Sequence, residues 1–419
     1  MIALIDCNAF FCSCETLFRP DLKNKPVIVL SNNDGCAVSR TDEAKALGIG
    51  MGEPFFKIKS LCEKKKVGVF SSNYSLYSDM SRRVMQVIAD SVPELEIYSI
   101  DEGFASLDGV SDEKIPALCL ELKEKIFRYT GIPVSIGVGK TKVLAKLANN
   151  FAKKHKRTTN CVYVMPAAKG ADRVLASMGV GDLWGVGRKS EKKLNLNGIR
   201  TALDFKNANE NFIRKTMGVL GLRLLRETNE KRYMNLELES PKKKQILSSR
   251  SFGNPIYKKE HLEESIATHI SLIGEKLRRQ DLVATSIYVF IRTSFFANSP
   301  QYSNTIGLNM LTGTASTNKL IRHAFDLLDQ IYKPGFEYKK AGAFVSKLTD
   351  KQGVQSSFFE ACDSSEEETL MGVMDKLNHV YGRGTLKFAA CGIEPFWTMA
   401  SNMKTPAYTT RWSELLRVS

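Results

Sequence analysis

The chain has 419 residues, 43% hydrophobic and 25% charged, with 60 Lys and Arg against 45 Asp and Glu for a net charge of +15. This balance suits a soluble chain of two to four domains and excludes global disorder, a collagen-like fibre and a disulfide mini-protein. The positive excess points to a polyanionic partner, either nucleic acid or an anionic membrane surface. No window approaches the ~20 apolar residues of a membrane span. Asp6 interrupts the apolar start, so no signal peptide is expected there. The nine cysteines are scattered without a C-x-x-C pair, which fits a reducing compartment better than a disulfide framework or a zinc site.

Residues 2–5 read as a short buried strand ending in Asp6. Asn24-Lys25-Pro26 makes a turn before a second strand over 27–30. SNNDG at 31–35 is a loop, and 41–47 is a helix closed by Gly48. Helix-period apolar positions run through 73–89. Residues 96–100 and 104–107 form the arms of a hairpin with Asp101, Glu102 and Gly103 at its turn. An amphipathic helix over 115–129, a buried strand over 134–139 and a helix over 142–154 complete a mixed α/β layer. Residues 166–230 are helical and punctuated by glycine, and 237–244 read as a basic linker. Helix (262–279) and strand (285–292) signals then alternate to about 349, before a locally acidic stretch at 360–379.

Asp6, Asp101 and Glu102 converge at one sheet edge if their strands are neighbours. A single acid at a strand end is ordinarily a solvated turn residue. An acid pair between Ile100 and Phe104, inside an apolar hairpin, is costly unless a metal or hydrogen bonds compensate. Carboxylate oxygens are the ligands Mg²⁺ prefers, and three of them with a triphosphate can hold two ions about 4 Å apart.

Seven basic residues and no acid lie between Lys140 and Arg157. On a helix Lys142, Lys146 and Lys153 fall within about 40° of one another, opposite Leu144, Leu147 and Phe151. The helix is expected to pack its apolar side on the core and to show a lysine stripe outward, for phosphate. Residues 183–199 read LWGVGRKSEKKLNLNGI. Gly185 and Gly187 allow a tight turn whose amides approach a phosphate, and Arg188 and Lys189 open the helix that follows. This is a helix-hairpin-helix pattern for gripping a DNA backbone. Residues 242–350 carry 16 basic and 9 acidic residues, a net of +7 that suits a second grip on a duplex.

Taken together, DCNAFFCSCE, SNNDGCAVSRTDEAKALG, FSSNYSLYSDMS, YSIDEGF, GVGKTKVLAKLAN and LWGVGRKSEKKL resemble the Y-family of translesion DNA polymerases. GRGTL (382–386) and YTTRWSELLRV (408–418) resemble the tail of its UmuC-type branch. The resemblance implies an α+β multidomain right hand. Its parts are a ferredoxin-like palm (1–30 and 71–165), small fingers (31–70), a helix-hairpin-helix thumb (166–236), a linker (237–244), an α/β little finger (245–350) and a C-terminal tail (351–419). It implies that Asp6, Asp101 and Glu102, with the backbone carbonyl of Cys7, hold two Mg²⁺ ions. Phe11 matches the aromatic steric gate against ribonucleotides, with Phe10 beside it as a palm or nucleotide-floor residue. Ser39, Lys45 and Lys153 match positions contacting the incoming triphosphate. Gly185, Gly187, Arg188 and Lys189 contact DNA. The small residues Cys36, Ala37 and Val38 leave room above the template base.

The resemblance further implies error-prone synthesis across damaged template in the SOS response, without a proofreading exonuclease, in a bacterial cytoplasm and near the nucleoid. Its partners would be primer-template DNA, dNTP, a processed UmuD-type dimer, RecA recombinase and the sliding clamp, with no membrane. Gln355, Phe358 and Phe359 resemble a clamp-binding peptide. Asp42 stands where tyrosine is common and is expected to point away from the triphosphate. Lys45 replaces a common arginine, and Gly103 a common alanine. A nucleotidyl cyclase, a non-catalytic DNA scaffold and a membrane-surface protein are rival readings. DNA-dependent incorporation of deoxynucleotides separates them.

Overall fold

The computed structural model describes every residue except 168, 240, 354–362, 394–396, 398 and 416–419. Gln355, Phe358 and Phe359 therefore lie outside the described residues. The chain forms two compact units: Met1–Ser31, Gly35–Ser240 and Met403–Ser419 in the first, Asn32–Asp34 and Pro241–Asn402 in the second. The stretch 351–419 is thus divided between them.

In the first unit β1 (Ile2–Cys7) leads into α1 (Phe10–Leu17). There follow β2 (Val27–Leu30), β3 (Ala37–Arg40), α2 (Asp42–Ala46), α3 (Phe55–Lys64) and β4 (Gly68–Ser71). Next come α4 (Tyr74–Ala89), β5 (Leu95–Ile97), β6 (Glu102–Ser106), α5 (Ile115–Thr130), β7 (Val134–Gly139), α6 (Lys142–Lys154), α7 (Lys156–Thr159) and β8 (Val162–Val164). The helices α8 (Lys169–Ser177), α9 (Arg188–Leu196), α10 (Ala202–Lys206) and α11 (Glu210–Thr228) complete the unit. The main sheet runs β5-β6-β1-β7-β8, and a smaller one runs β3-β2-β4.

The alternation of β1 decides what each face carries. Ala3, Ile5 and Cys7 pack into a core with residues of α1, α4 and α5. Ile2 and Leu4 pack instead with Phe104 and Ala145, on the side where α6 lies. That helix sits unusually close to the sheet. A Cβ on Gly137 would stand 2.0 Å from the Asn149 amide nitrogen, and one on Gly139 would stand 2.6 Å from that of Ala145. Leu144 and Leu147 of α6 are buried against Val174, Leu175, Leu224 and Leu225 of the later helices. The apolar side of α6 thus meets α8 and α11, which leaves its lysine flank for the strand ends.

The hairpin is shorter than its sequence pattern suggests. β5 stops at Ile97 because the Ser99 hydroxyl accepts from the Asp101 and Glu102 amides, at 3.3 and 3.0 Å, and turns the chain early. Glu102 is accordingly the first residue of β6, not a turn residue.

The second unit contains β9 (Gln245–Ile256), α12 (Lys259–Arg278), β10 (Leu282–Thr293), β11 (Ser303–Thr314), α13 (Thr317–Ile331), β12 (Tyr338–Asp350) and α14 (Ser365–Tyr381). Its sheet is antiparallel in the order β11-β10-β12-β9. α12 and α13 share its core with Cys391 and Trp397.

The close approach of α6 gives a test of the packing. Gly137→Ala should destabilise the first unit by at least about 2 kcal/mol, because no rotamer removes a Cβ. Gly372→Ala, in α14 with open space around it, should instead stabilise by about 0.5–1 kcal/mol. Denaturant midpoints of the two variants measure the difference in sign.

Candidate active site

β1 and β6 pair so that Asp6 lies directly across from Glu102. The Cys7 amide donates to the Asp101 carbonyl at 2.8 Å, which brings Asp101 to the same sheet edge. The Ser99 hydroxyl donates to Asp101 Oδ1 at 2.6 Å. The strand register thus brings the three expected acids to one sheet edge, with the Cys7 backbone beside Asp101.

The lysine flank of α6 stands over this edge. Lys153 Nζ lies 2.5 Å from Asp6 Oδ1, and Lys146 Nζ lies 2.9 Å from Glu102 Oε2. Lys142 pairs with Glu96 and is 3% exposed. The outward lysine stripe expected from the sequence is therefore corrected: all three lysines face acids of the sheet. The physical reason is that each buried acid needs a cation, and leucines already occupy the opposite side of the helix. Lys146 also sits 4.8 Å from the Tyr98 ring and 5.4 Å from the Trp184 ring. Trp184 comes from the glycine hairpin, so one ammonium ties that hairpin to the carboxylate edge.

Burial raises the Asp6 carboxyl to about 7, with Lys153 pulling it down and Glu102 pushing it up. Burial and the three neighbouring acids likewise push the Cys7 thiol well up. As the side chains stand, no three His, Cys, Asp or Glu among the described residues form a ready metal cage. Asp6 and Glu102 are each engaged by an ammonium. The donor set still fits a hard divalent cation, being all carboxylate and carbonyl oxygen. A buried carboxyl held near 7 is also one whose charge a cation would favour.

Phe10 and Phe11 separate cleanly. Phe10 is 3% exposed and belongs to the core, so its ring offers no surface to a nucleotide. Phe11 is half-buried and stacks on Tyr77 with ring centroids 4.4 Å apart and planes 14° apart. Tyr74 meets Phe11 edge-on at 6.1 Å.

Ser39 is buried, and its hydroxyl accepts from the Cys12 amide at 3.3 Å, tying β3 to α1. Ala37 is buried as well, while Cys36 and Val38 are half-buried. Lys45 donates to Asp42 at 2.8 Å, and Lys156 pairs with the same carboxylate. Burial pushes the Asp42 carboxyl up, but hydrogen bonds from Lys156 and Lys45 outweigh it and hold it below the usual range. Asp42 does not point away from the basic cluster. With Lys153, Lys154, His155, Lys156 and Arg157 it lines a cleft of about 480 Å³. Lys156 and Arg157 were not singled out as site residues, although they belong to the same acid-free run. Tyr77 was missed because a buried tyrosine in a helix carries no signal of its own.

At the glycine hairpin Gly185 has φ +94°, a backbone conformation that favours glycine. Gly187 caps α9 with no side-chain hydrogen bond. Arg188 and Lys189 follow it, exposed, in the first turn. In the second unit a cavity of about 580 Å³ lies beside α14. Its Arg278 is paired with Asp375 at 2.7 Å and its Lys351 with Glu368 at 2.8 Å.

The impB/mucB/samB family model matches residues 5–150, and the C-terminal domain model of that family matches 243–358. Protein UmuC of Salmonella typhimurium is 42% identical over the whole of both chains. The chain belongs to the impB/mucB/samB family. Another relative, Protein MucB of Escherichia coli, is 36% identical over 99% of each chain. DNA polymerase IV of Picrophilus torridus is 34% identical over 56% of this chain and 67% of its own. A third model, a domain of unknown function (DUF4113), matches residues 368–418. Among solved structures, a Y-family DNA polymerase chimera of Dbh and Dpo4 matches with a TM-score of 0.68 at 20% identity, over 83% of this chain and 99% of that one. The insertion ternary complex of Dbh DNA polymerase matches with a TM-score of 0.55 at 21% identity, over 83% and 98%. At that identity the likeness is one of fold, the mixed α+β multidomain fold of the Y-family. No described helix of this family member is long and apolar enough to cross a membrane.

The raised Asp6 carboxyl has a consequence for stability. Its ordinary value is 3.8 and its folded value about 7, so folding takes up a proton between those limits. The cost of burying this acid therefore grows as pH rises from about 4 to 7 and stands in full above 7. Asp6→Asn should raise the melting temperature of the metal-free chain by about 2 °C or more at pH 8, and by less at pH 5. Adding Mg²⁺ at pH 8 should stabilise the parent and not the variant.

Proposed function

We propose that this chain is a translesion DNA-directed DNA polymerase that joins a deoxynucleotide to a primer 3′ hydroxyl opposite damaged template. The observation that carries the reading is the register of Asp6 against Glu102, with Asp101 beside them and the lysine flank of α6 above. Full-length likeness to UmuC and partial likeness to DNA polymerase IV support the same reading.

Asp6, Asp101, Glu102 and the Cys7 carbonyl would hold two Mg²⁺ ions, which when bound supply activation of the attacking hydroxyl and neutralisation of phosphate charge. The chain's own residues do the positioning. Lys45, Lys153, Lys156 and Arg157 gather triphosphate charge, and Asp42 keeps two of these lysines in place beforehand. Phe11 faces the sugar and excludes a 2′ hydroxyl by clash. The hairpin amides at Gly185 and Gly187, with Arg188 and Lys189, grip a phosphodiester backbone without reading sequence.

The second unit offers a further grip. Arg292 and Lys340 are register partners on its sheet. Tyr288 and Phe344, register partners four positions along the same two strands, stack with centroids 4.5 Å apart. Burial, and after it the nearby Arg292 and Arg250, pulls the Lys340 ammonium below its usual value, and these cations together offer positive charge to an anion. We assign these parts as palm, fingers, thumb and little finger with the boundaries given above. The SOS role, the cytoplasmic and nucleoid setting, and the UmuD-type dimer, RecA and clamp partners come with the same reading.

Primer extension on damaged and undamaged templates, with and without accessory proteins, tests it. Asp101→Ala should reduce extension to below about 1 per cent while duplex binding stays near the parent level, because the grips lie elsewhere. Retained extension would refute the carboxylate assignment. In the same assay Phe11→Ala should raise ribonucleotide incorporation strongly with a modest loss for deoxynucleotides, and Phe10→Ala should lower stability without changing sugar choice.

A further inference from the structure

A stretch near the end of the chain, within the segment matched by a model of unknown function, packs on the first unit. Met403 exchanges hydrogen bonds with Ser71 in both directions, each at 3.0 Å. Tyr408 stacks on Phe18 with centroids 4.8 Å apart. Between them Asn73, fully buried, donates through Nδ2 to the Thr405 carbonyl and hydroxyl, both at 3.0 Å, and to the Pro406 carbonyl at 3.1 Å. Asn73 is also the N-cap of α4, the helix whose first turn bears Tyr74 and Tyr77.

This contact leads to the candidate sugar gate. Glu15, on α1 and fully buried, accepts a hydrogen bond from the Tyr77 hydroxyl at 2.5 Å. Tyr77 is the ring on which Phe11 is stacked. Burial raises the Glu15 carboxyl, while Tyr77, its hydrogen-bond donor, and Thr405 nearby pull it down. Among the described residues Glu15 Oε2 is buried without a hydrogen-bond partner, so the Tyr77 bond is what fixes the carboxyl and the tyrosine ring to each other.

We propose that Thr405 is a positioning residue for sugar selection. The strap over residues 403–410 binds Asn73 at the start of α4, and through Tyr77 on that helix it holds the ring of Phe11 against the incoming sugar. The inference rests on reading Phe11 as the ring that meets the deoxyribose.

The test is single-nucleotide incorporation by the full chain, read as the ratio of kcat/KM for a deoxynucleotide to that for its ribonucleotide. Thr405→Val keeps the side-chain shape and removes the hydroxyl. It should lower the ratio about tenfold, the effect of one lost hydrogen bond, with deoxynucleotide kcat/KM within about twofold of the parent. Thr405→Ser should restore the ratio. A role in stability alone would lower both nucleotides alike, and an unchanged ratio overturns the proposal. Tyr77→Phe frees the same ring from Glu15 and decides the matter if Thr405→Val does not fold. Its ratio should also fall, and an unchanged ratio again overturns the proposal. Phe11→Ala separates the two layers. If it collapses the ratio while the Thr405 and Tyr77 variants do not, the strap is not the positioning device. If it leaves the ratio unchanged, the reading of Phe11 is wrong and the proposal falls with it.

Discussion

Carboxylates gathered at one sheet edge repel each other and lose hydration, so such an edge is tenable only with positive charge close above it. The first unit is arranged around this requirement. Glycines at 137 and 139 let α6 come down onto β7, and that approach puts the ammonium groups of Lys146 and Lys153 within bonding distance of Glu102 and Asp6. The strand register matters as much as the helix. A slip of one residue in β1 would send Asp6 to the face where Ala3, Ile5 and Cys7 meet α1 and α4. The acid would then lie in an apolar core with no lysine in reach.

The same arrangement changes how the net charge of +15 is to be understood. Much of the densest basic run is neutralised within the fold, through Lys142, Lys146, Lys153, Lys154 and Lys156, each paired with an acid. The charge left to act outward is concentrated elsewhere. One place is the first turn of α9, where Arg188 and Lys189 are exposed. Another is the sheet of the second unit, where Arg250 and Arg292 lie close enough to Lys340 to add to the burial that lowers its ammonium. A polyanion would meet these surfaces first.

The positions of the acids were legible because strand ends and hairpin turns leave strong local marks. Asp6 follows an unbroken apolar run, and Asp101 and Glu102 interrupt a hairpin. The glycine hairpin was legible for the same reason. The direction of the lysine flank was not. Periodicity shows which residues share a face of α6, but it does not say whether solvent or a buried acid lies opposite, and here α8 and α11 claim the apolar side. Phe10 and Phe11 illustrate the same limit, since adjacent rings on a helix point to different places and only packing tells them apart. β3, α3 and β4 were missed because each is short and its apolar residues mix with lysine and glycine. The return of residues 403–410 to the first unit left no trace, because Thr405 and Tyr408 acquire meaning only beside Asn73, Glu15 and Phe18.

That return has a consequence for the order in which the molecule is finished. Asn73 and Thr405 are separated by 332 residues, so a ribosome moving at about 5–20 residues per second needs roughly 20–70 s to travel from one to the other. During that interval the sheet edge, its acids and α6 are already synthesised, whereas the residues that bind Asn73 at the start of α4 are not. The nascent chain therefore acquires its charge cluster early and the contacts of residues 403–410 late. On the proposed reading of Phe11, sugar selectivity is then the last property to be installed.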